Sequence, residues 1–302
     1  MLAGMFAVIW KTAAALVAMA ALYVAFVALM QDRILFPRWA VSGQAPPLPA
    51  DAEELTLELP GGDTLAGVRL PARRPGGDSQ AVLLGFGGNA WHADSLAAHL
   101  CELFPTRDVV AFHYRGYGPS TGRPSARALN EDALAIFDAL KRRDPDRPII
   151  VVGLSIGGGP ASYLAARRDV AGVILVTPFD SMEAQARDRF PFIPVRLLLR
   201  HRMDVADDMR DYDGPAAIVA AELDTIVPPE RTEALRQAVR RPVFDAVIDG
   251  AGHNDLYARR AYAEAMQTAL AQVEDEIDTD TADSKRPRPE TGGAAGDCAG
   301  PG

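Results

Sequence analysis

Pro148-Ile149-Ile150-Val151-Val152-Gly153-Leu154-Ser155-Ile156-Gly157-Gly158-Gly159 is the stretch that decides how this chain folds. An apolar, β-branched run has the composition of a buried strand, and it breaks into a glycine-flanked serine. A helical stretch, Pro160 to Arg168, is expected to follow. A serine at a sharp strand-to-helix turn is forced outward. Glycine on both sides tolerates the close approach of strand, turn and helix that such a corner needs. The helix start behind the serine also aims free backbone N–H groups at whatever the hydroxyl attacks. A plain glycine-rich turn is the bland alternative.

A serine hydroxyl is a poor nucleophile at neutral pH and needs a general base, usually a histidine held by a carboxylate. Downstream, Pro215 to Ala221 reads as a second buried strand, ending in Glu222-Leu223-Asp224-Thr225-Ile226-Val227-Pro228. Asp224 therefore falls on a loop leaving a strand's carboxyl end, where open α/β sheets place their sites. Val243 to Ile248 reads as a further strand, followed by Gly250-Ala251-Gly252-His253-Asn254-Asp255. Of the five histidines, His92, His99, His113, His201 and His253, only the last has loop, chain order and glycine context together. Glu222, Asp180 and Asp255 compete with Asp224 for the acid role. Asp255 is the natural start of a last helix, and Asp180 follows the strand Gly172 to Val176.

An acyl-transfer intermediate also requires two N–H donors for its oxyanion, one of them from the residue after the nucleophile. Here that residue is Ile156. The second is expected from the glycine turn after an early strand, Ala81-Val82-Leu83-Leu84-Gly85-Phe86-Gly87-Gly88-Asn89-Ala90, through the backbone of Asn89. A structural glycine turn would look the same. No Gly-Lys-Ser/Thr accompanies these glycines, so a phosphate loop is not expected.

Together these pieces resemble the α/β-hydrolase superfamily, and within it the membrane-anchored serine hydrolase branch with one N-terminal helix, similar to the protein depalmitoylases. The resemblance runs from about Gln31 to about Leu270. It is carried by Ile34-Leu35-Phe36-Pro37, Gly87-Gly88-Asn89-Ala90, Tyr114-Arg115-Gly116-Tyr117-Gly118-Pro119-Ser120-Thr121-Gly122, Gly153 to Gly158, Pro191-Phe192-Ile193-Pro194-Val195, Asp224 to Pro228 and Gly250 to Asp255. It implies an α/β-hydrolase fold, a mostly parallel central sheet with helices on both faces and a short cap. It also implies Ser155 as nucleophile, Asp224 as acid and His253 as base. Two residues depart from the pattern: Gly87 stands where the branch usually has histidine, and Leu154 where a polar residue is common. Arg115 is expected to hold loops by hydrogen bonds.

The expected chemistry is cleavage of a carboxylic ester or thioester, with no metal or organic cofactor. Carboxylesterase and acyl-protein or lipid thioesterase share these residues. So do an amidase or peptidase and a perhydrolase, and a catalytically silent scaffold is the reading of a different class. The partner is a small-molecule or lipid-like acyl substrate. Nothing in the pattern marks an oligomer.

The rest of the chain sets limits. Its 302 residues, 48% of them hydrophobic, suit one α/β domain with appendages. Of the net charge of −9, the stretch from Val273 onward carries eight acids and three bases, which leaves the body at −4. That balance argues against nucleic acid as a partner. Thr12 to Met30 is an uncharged run of nineteen residues. At ~1.5 Å per residue its helix approaches the ~30 Å core of a bilayer. The run exceeds the usual apolar region of a cleaved signal, so an uncleaved anchor over 1–31 is expected. Lys11 opposes Arg33 and Arg38, leaving its orientation open. The hydrolase domain is expected over 32–276, with a small cap at 180–214 whose segment Arg189 to Arg200 either roofs Ser155 and touches lipid or packs on the domain. A disordered tail is expected over 277–302. Cys101 and Cys298 form no disulfide or metal pattern.

Overall fold

The computed structural model describes residues 2–41, 47–74 and 81–284. Eight strands form one sheet: β1 (Glu53–Glu58), β2 (Thr64–Leu70), β3 (Val82–Phe86), β4 (Asp108–Phe112), β5 (Ile149–Leu154), β6 (Gly172–Val176), β7 (Ala216–Ala221) and β8 (Pro242–Ile248). Their order across the sheet is β1-β2-β4-β3-β5-β6-β7-β8. The β1–β2 and β2–β4 pairs are antiparallel, and every pair from β4 to β8 is parallel. This is the expected mostly parallel sheet, with β5 near its centre.

Nine α-helices accompany the strands among the described residues: α1 (Leu2–Leu35), α2 (Ala93–Leu103), α3 (Ala126–Arg143), α4 (Gly158–Ala165), α5 (Met182–Arg189), α6 (Val195–Leu198), α7 (Val205–Arg210), α8 (Pro229–Arg236) and α9 (Arg260–Ser284). Strand residues alternate between the two faces, and the sequence of β5 shows why it needs no polar side. Ile149 and Val151 join Leu129, Ile136 and Phe137 of α3 and Leu164 of α4 in one core. Ile150, Val152 and Leu154 join Leu96 and Leu100 of α2 and Tyr262, Met266 and Val273 of α9 in the other. Helices thus cover both faces, and the carboxyl ends of β3, β5, β7 and β8 lie along one edge of the sheet.

Local boundaries differ from the sequence reading in three places. The helix after the serine begins earlier and stops at Ala165, because Arg167 and Arg168 turn back onto the carbonyl of Leu164. The N-terminal helix continues past residue 31 to Leu35. The last helix continues past residue 276 to Ser284, held there in part by Arg241, which pairs with Glu276 and Asp280. The expected disordered tail is therefore helical over 277–284, and 285–302 with Cys298 lie outside the described residues.

The segment Gly4–Val41 contains the apolar stretch, with mean hydropathy 2.4 and no burial, long and apolar enough to cross a membrane. Its carboxyl end docks on the 180–214 segment. Gln31 donates from Nε2 to the Leu198 carbonyl at 2.8 Å and accepts from the Arg200 N–H at 3.0 Å. Asp32 meets His201 at 2.7 Å and Arg200 at 3.0 Å. Between α1, α5 and α6 lies a small, mostly apolar cleft of about 60 Å³, walled by Val27, Ile34, Leu35, Met182, Phe190 and Leu198, with Gln31 at its side.

Candidate active site

Ser155 leaves β5 with φ of 51°, one of two non-glycine residues with positive φ among those described. A left-handed backbone at such a residue costs on the order of 1–3 kcal/mol, so the surroundings must enforce it. The glycines show how. A Cβ at Gly157 would lie 2.1 Å from the Phe86 carbonyl oxygen. One at Gly153 would lie 2.8 Å from both the Ala161 Cβ and the Gly157 carbonyl oxygen. Strand, corner and helix are packed too closely for side chains on either flank, and the serine is turned out of the sheet edge.

The structure brings Ser155, Asp224 and His253 together. His253 Nε2 lies 3.0 Å from Ser155 Oγ, and His253 Nδ1 lies 2.7 Å from Asp224 Oδ2. The other carboxylate oxygen of Asp224 accepts from the Ile226 and Val227 N–H groups at 2.9 and 2.8 Å. Three bonds hold that carboxylate, which is only 6% exposed, and His253 is 9% exposed. An ionised carboxylate can only accept, so the Nδ1 facing it carries the proton and Nε2 is left as the acceptor towards the serine. Gly250, at φ of 63°, makes the turn that brings His253 round.

The rival acids are engaged elsewhere. Glu222 accepts from the Gly250 N–H at 2.7 Å and ties the two loops together. Asp180 pairs with Arg231 at 3.1 Å. Asp255 accepts from the Gly252 N–H at 2.8 Å and pairs with Arg259, so it closes the histidine loop and precedes α9 by five residues. Arg115 grips the buried Asp132 with Nε and Nη2, the shortest contact being 2.6 Å, which is a loop-holding arrangement. Burial pushes the Asp132 carboxyl up, with the hydrogen bond from Arg115 opposing it.

Ile156 sits buried in the single 3-10 turn Ser155–Gly157. Asn89 sits in the turn Gly88 to Trp91, closed by the Trp91 N–H on the Gly88 carbonyl at 3.1 Å. That turn abuts the serine corner, since Gly157 faces the carbonyls of Phe86 and Gly87. The departure at Gly87 finds its counterpart here. A Cβ at Gly87 would lie 3.0 Å from the Trp91 Cβ, and Trp91 covers the turn. Tyr114, first of the Tyr-Arg-Gly-Tyr-Gly segment, donates its hydroxyl to the Gly87 carbonyl at 2.7 Å.

Sequence reading did not single out Trp91, Tyr257 or Tyr262. The Trp91 ring packs edge-on against Tyr257 at 5.0 Å and His99 at 5.4 Å, and Tyr262 joins them. This aromatic cluster links the glycine turn after β3 to the turn after His253. Burial pushes the Tyr257 phenol up to about 12, so it stays neutral. Only the adjacency of Trp91 to Asn89 and of Tyr257 to His253 could have marked them.

An eight-stranded, mostly parallel sheet with a serine corner after β5, an acid after β7 and a histidine after β8 is an α/β-hydrolase fold. Comparison agrees. A family model described as alpha/beta hydrolase fold matches residues 82–207. An uncharacterized protein of Mycobacterium tuberculosis is 33% identical over 269 residues, covering 83% of this chain and 94% of that one. The lysophosphatidylserine lipase ABHD12 of Gallus gallus is 37% identical over 126 residues, 38% of this chain and 32% of that protein. Among solved structures, the Pyrococcus furiosus esterase Pf2001 matches with a TM-score of 0.60 at 15% identity, over 78% of this chain and 98% of that one. The chain belongs to the α/β-hydrolase family.

Proposed function

We propose that this protein is a membrane-anchored serine hydrolase that cleaves carboxylic esters or thioesters through an acyl-serine intermediate. The observation that carries the reading is the continuous hydrogen-bonded line from Ser155 Oγ through His253 to Asp224, at 3.0 and 2.7 Å. As Ser155 attacks the acyl carbon, its proton passes to Nε2 of His253, and Asp224 stabilises the imidazolium without taking the proton itself. The backbone N–H groups of Ile156 and Asn89 hold the oxyanion. His253 then returns the proton to the leaving oxygen or sulfur. A water molecule, deprotonated by His253, releases the acid.

An acyl chain of lipid type is favoured over a short, polar acyl group. The apolar cleft between the N-terminal helix and the 180–214 segment supports this, as do Phe192 at 96% and Leu197 at 84% exposure on the same segment. Side chains of this kind gain by contact with a bilayer surface. The lipase named above is a relative of matching class.

Hydrolysis of p-nitrophenyl esters from acetate to palmitate, by detergent-solubilised protein and its Ser155→Ala variant, tests the proposal. Turnover that rises with chain length and disappears in the variant is the expected result. Turnover that survives in Ser155→Ala would refute the nucleophile.

A further inference from the structure

His92, Asp94 and His113 lie together beside the glycine turn and take no part in the reaction derived above. One ligand-capable atom from each falls within 4.8 Å of the others. His92 Nδ1 is 3.4 Å from Asp94 Oδ2, and His113 Nε2 is 3.6 Å from Asp94 Oδ1. The two imidazole rings meet edge to face, 4.3 Å apart at 87°. We propose that these three side chains bind a divalent transition-metal ion of the zinc type.

The separations carry the argument. A charge-assisted hydrogen bond would draw a ring nitrogen and a carboxylate oxygen to about 2.7–2.9 Å. Donors sharing one tetrahedral ion at ~2.0–2.1 Å stand instead about 3.3–3.4 Å from one another. The two pairs, each to a different oxygen of Asp94, sit nearer the second spacing, and the three ligand atoms all lie within 4.8 Å of one another. His92 Nδ1 is also buried with no hydrogen-bond partner among the described residues, so the cluster as it stands leaves a donor or acceptor unsatisfied. Two imidazoles and one carboxylate form a donor set suited to zinc, with a fourth position left for water. Calcium or magnesium would call for an oxygen-rich set.

The framework is firm on both sides. His92 is the residue preceding α2, Asp94 lies in its first turn, and His113 directly follows β4. An ion here would pin the start of α2 to the segment after β4. That junction matters because His92 follows Trp91 and His113 precedes Tyr114, the two residues that hold the Gly87–Asn89 turn. The ion's role is structural: it fixes the turn and supplies no step of the reaction. Its presence does not depend on whether Ser155 is the nucleophile.

The test uses tag-free, full-length protein in detergent, stripped with a chelator and titrated calorimetrically with zinc chloride. One equivalent should bind. His92→Ala and Asp94→Asn should each weaken that binding at least tenfold, with circular dichroism confirming that both variants fold. Zinc should raise the wild-type melting temperature and leave those of the two variants unmoved. Cobalt(II) in place of zinc should give the visible bands of a four-coordinate site in the wild type alone. Absence of saturable binding by the wild type would overturn the proposal and leave the contacts of Asp94 with His92 and His113 as the whole of the cluster. Equal affinity in wild type and variants would overturn it as well, placing the metal elsewhere on the acidic chain.

Discussion

Replacing Gly157 by alanine should damage both fold and activity, whereas the same change at Gly158, one residue on, should do neither. The two positions share a composition and a helix start, and they differ in what a methyl group meets. At Gly157 the new Cβ would lie 2.1 Å from the Phe86 oxygen, 2.6 Å from its carbonyl carbon and 2.7 Å from the Gly87 oxygen. These are backbone atoms, about 0.7–1.3 Å inside an ordinary contact, and no rotamer change relieves them. At Gly158 the nearest atoms are the Leu175 Cδ2 at 3.9 Å and the Pro178 Cβ at 4.0 Å, an ordinary contact. Overpacking of this kind costs about 1–3 kcal/mol, with the upper end expected where only backbone can yield. In a domain of this size that lowers the melting temperature by about 2–12 °C. The activity loss should be larger in proportion. The strands that must part carry Ser155 on one side and the Asn89 turn on the other, and a displacement near 1 Å costs about a hundredfold in rate. Gly158→Ala should stay within about 0.5 kcal/mol of wild type, or gain slightly from helix propensity. Thermal unfolding and short-chain ester hydrolysis of the three proteins provide the assay. Equal behaviour of the two alanine variants would refute the account of the serine corner.

Asp224→Asn should keep the fold and lose catalysis. Its amide oxygen can still accept from Ile226 and Val227, but its NH2 faces His253 Nδ1 and selects the tautomer with the proton on Nε2. The rate should fall by about 10⁴-fold with a near-native melting curve, and retained turnover would remove Asp224 from the mechanism. Asp108 gives a pH prediction. Burial raises its pKa, but hydrogen bonds from Arg69, Arg147 and the Ala72 N–H outweigh that and bring it down to about 2. A folded-state pKa below the unfolded value of ~3.9 contributes stability that is complete above about pH 4 and is lost as pH falls towards 2, about 1–2 kcal/mol after allowance for solvent screening. The melting-temperature gap between wild type and Asp108→Asn should therefore be constant above pH 4.5 and close below it. A gap that widens on acidification would contradict the assignment.

Much of this architecture was legible in the chain because it depends on local pattern. The β-branched run before Ser155 and the apolar run before Asp224 announce buried strands, the run before His253 announces a further strand, and the chain order of the three residues follows. Pattern is a poorer guide to ends. The helix after Ser155 and the last helix each miss their expected limits by a few residues, because those limits are set by Arg167 and Arg168 folding back and by Arg241 reaching Glu276 and Asp280. The choice among Asp224, Glu222 and Asp255 also lay beyond pattern. All three are acids on site loops, and only the direction of each side chain separates the one facing His253 from the two that bind backbone and arginine.

The sequence by itself determined the strand–corner–helix unit at Ser155, the apolar N-terminal helix and the order of serine, acid and histidine. Each is set by residues near one another in the chain, through periodicity, glycine geometry and hydrophobic length. Only the tertiary structure decided that Trp91 packs over the glycine turn, that Gln31 and Asp32 fasten the N-terminal helix to the 180–214 segment, and that His92, Asp94 and His113 converge. The last two join segments far apart in the chain, as does the packing of Trp91 on Tyr257, and their partners meet only when the sheet aligns the carboxyl ends of its strands along one edge.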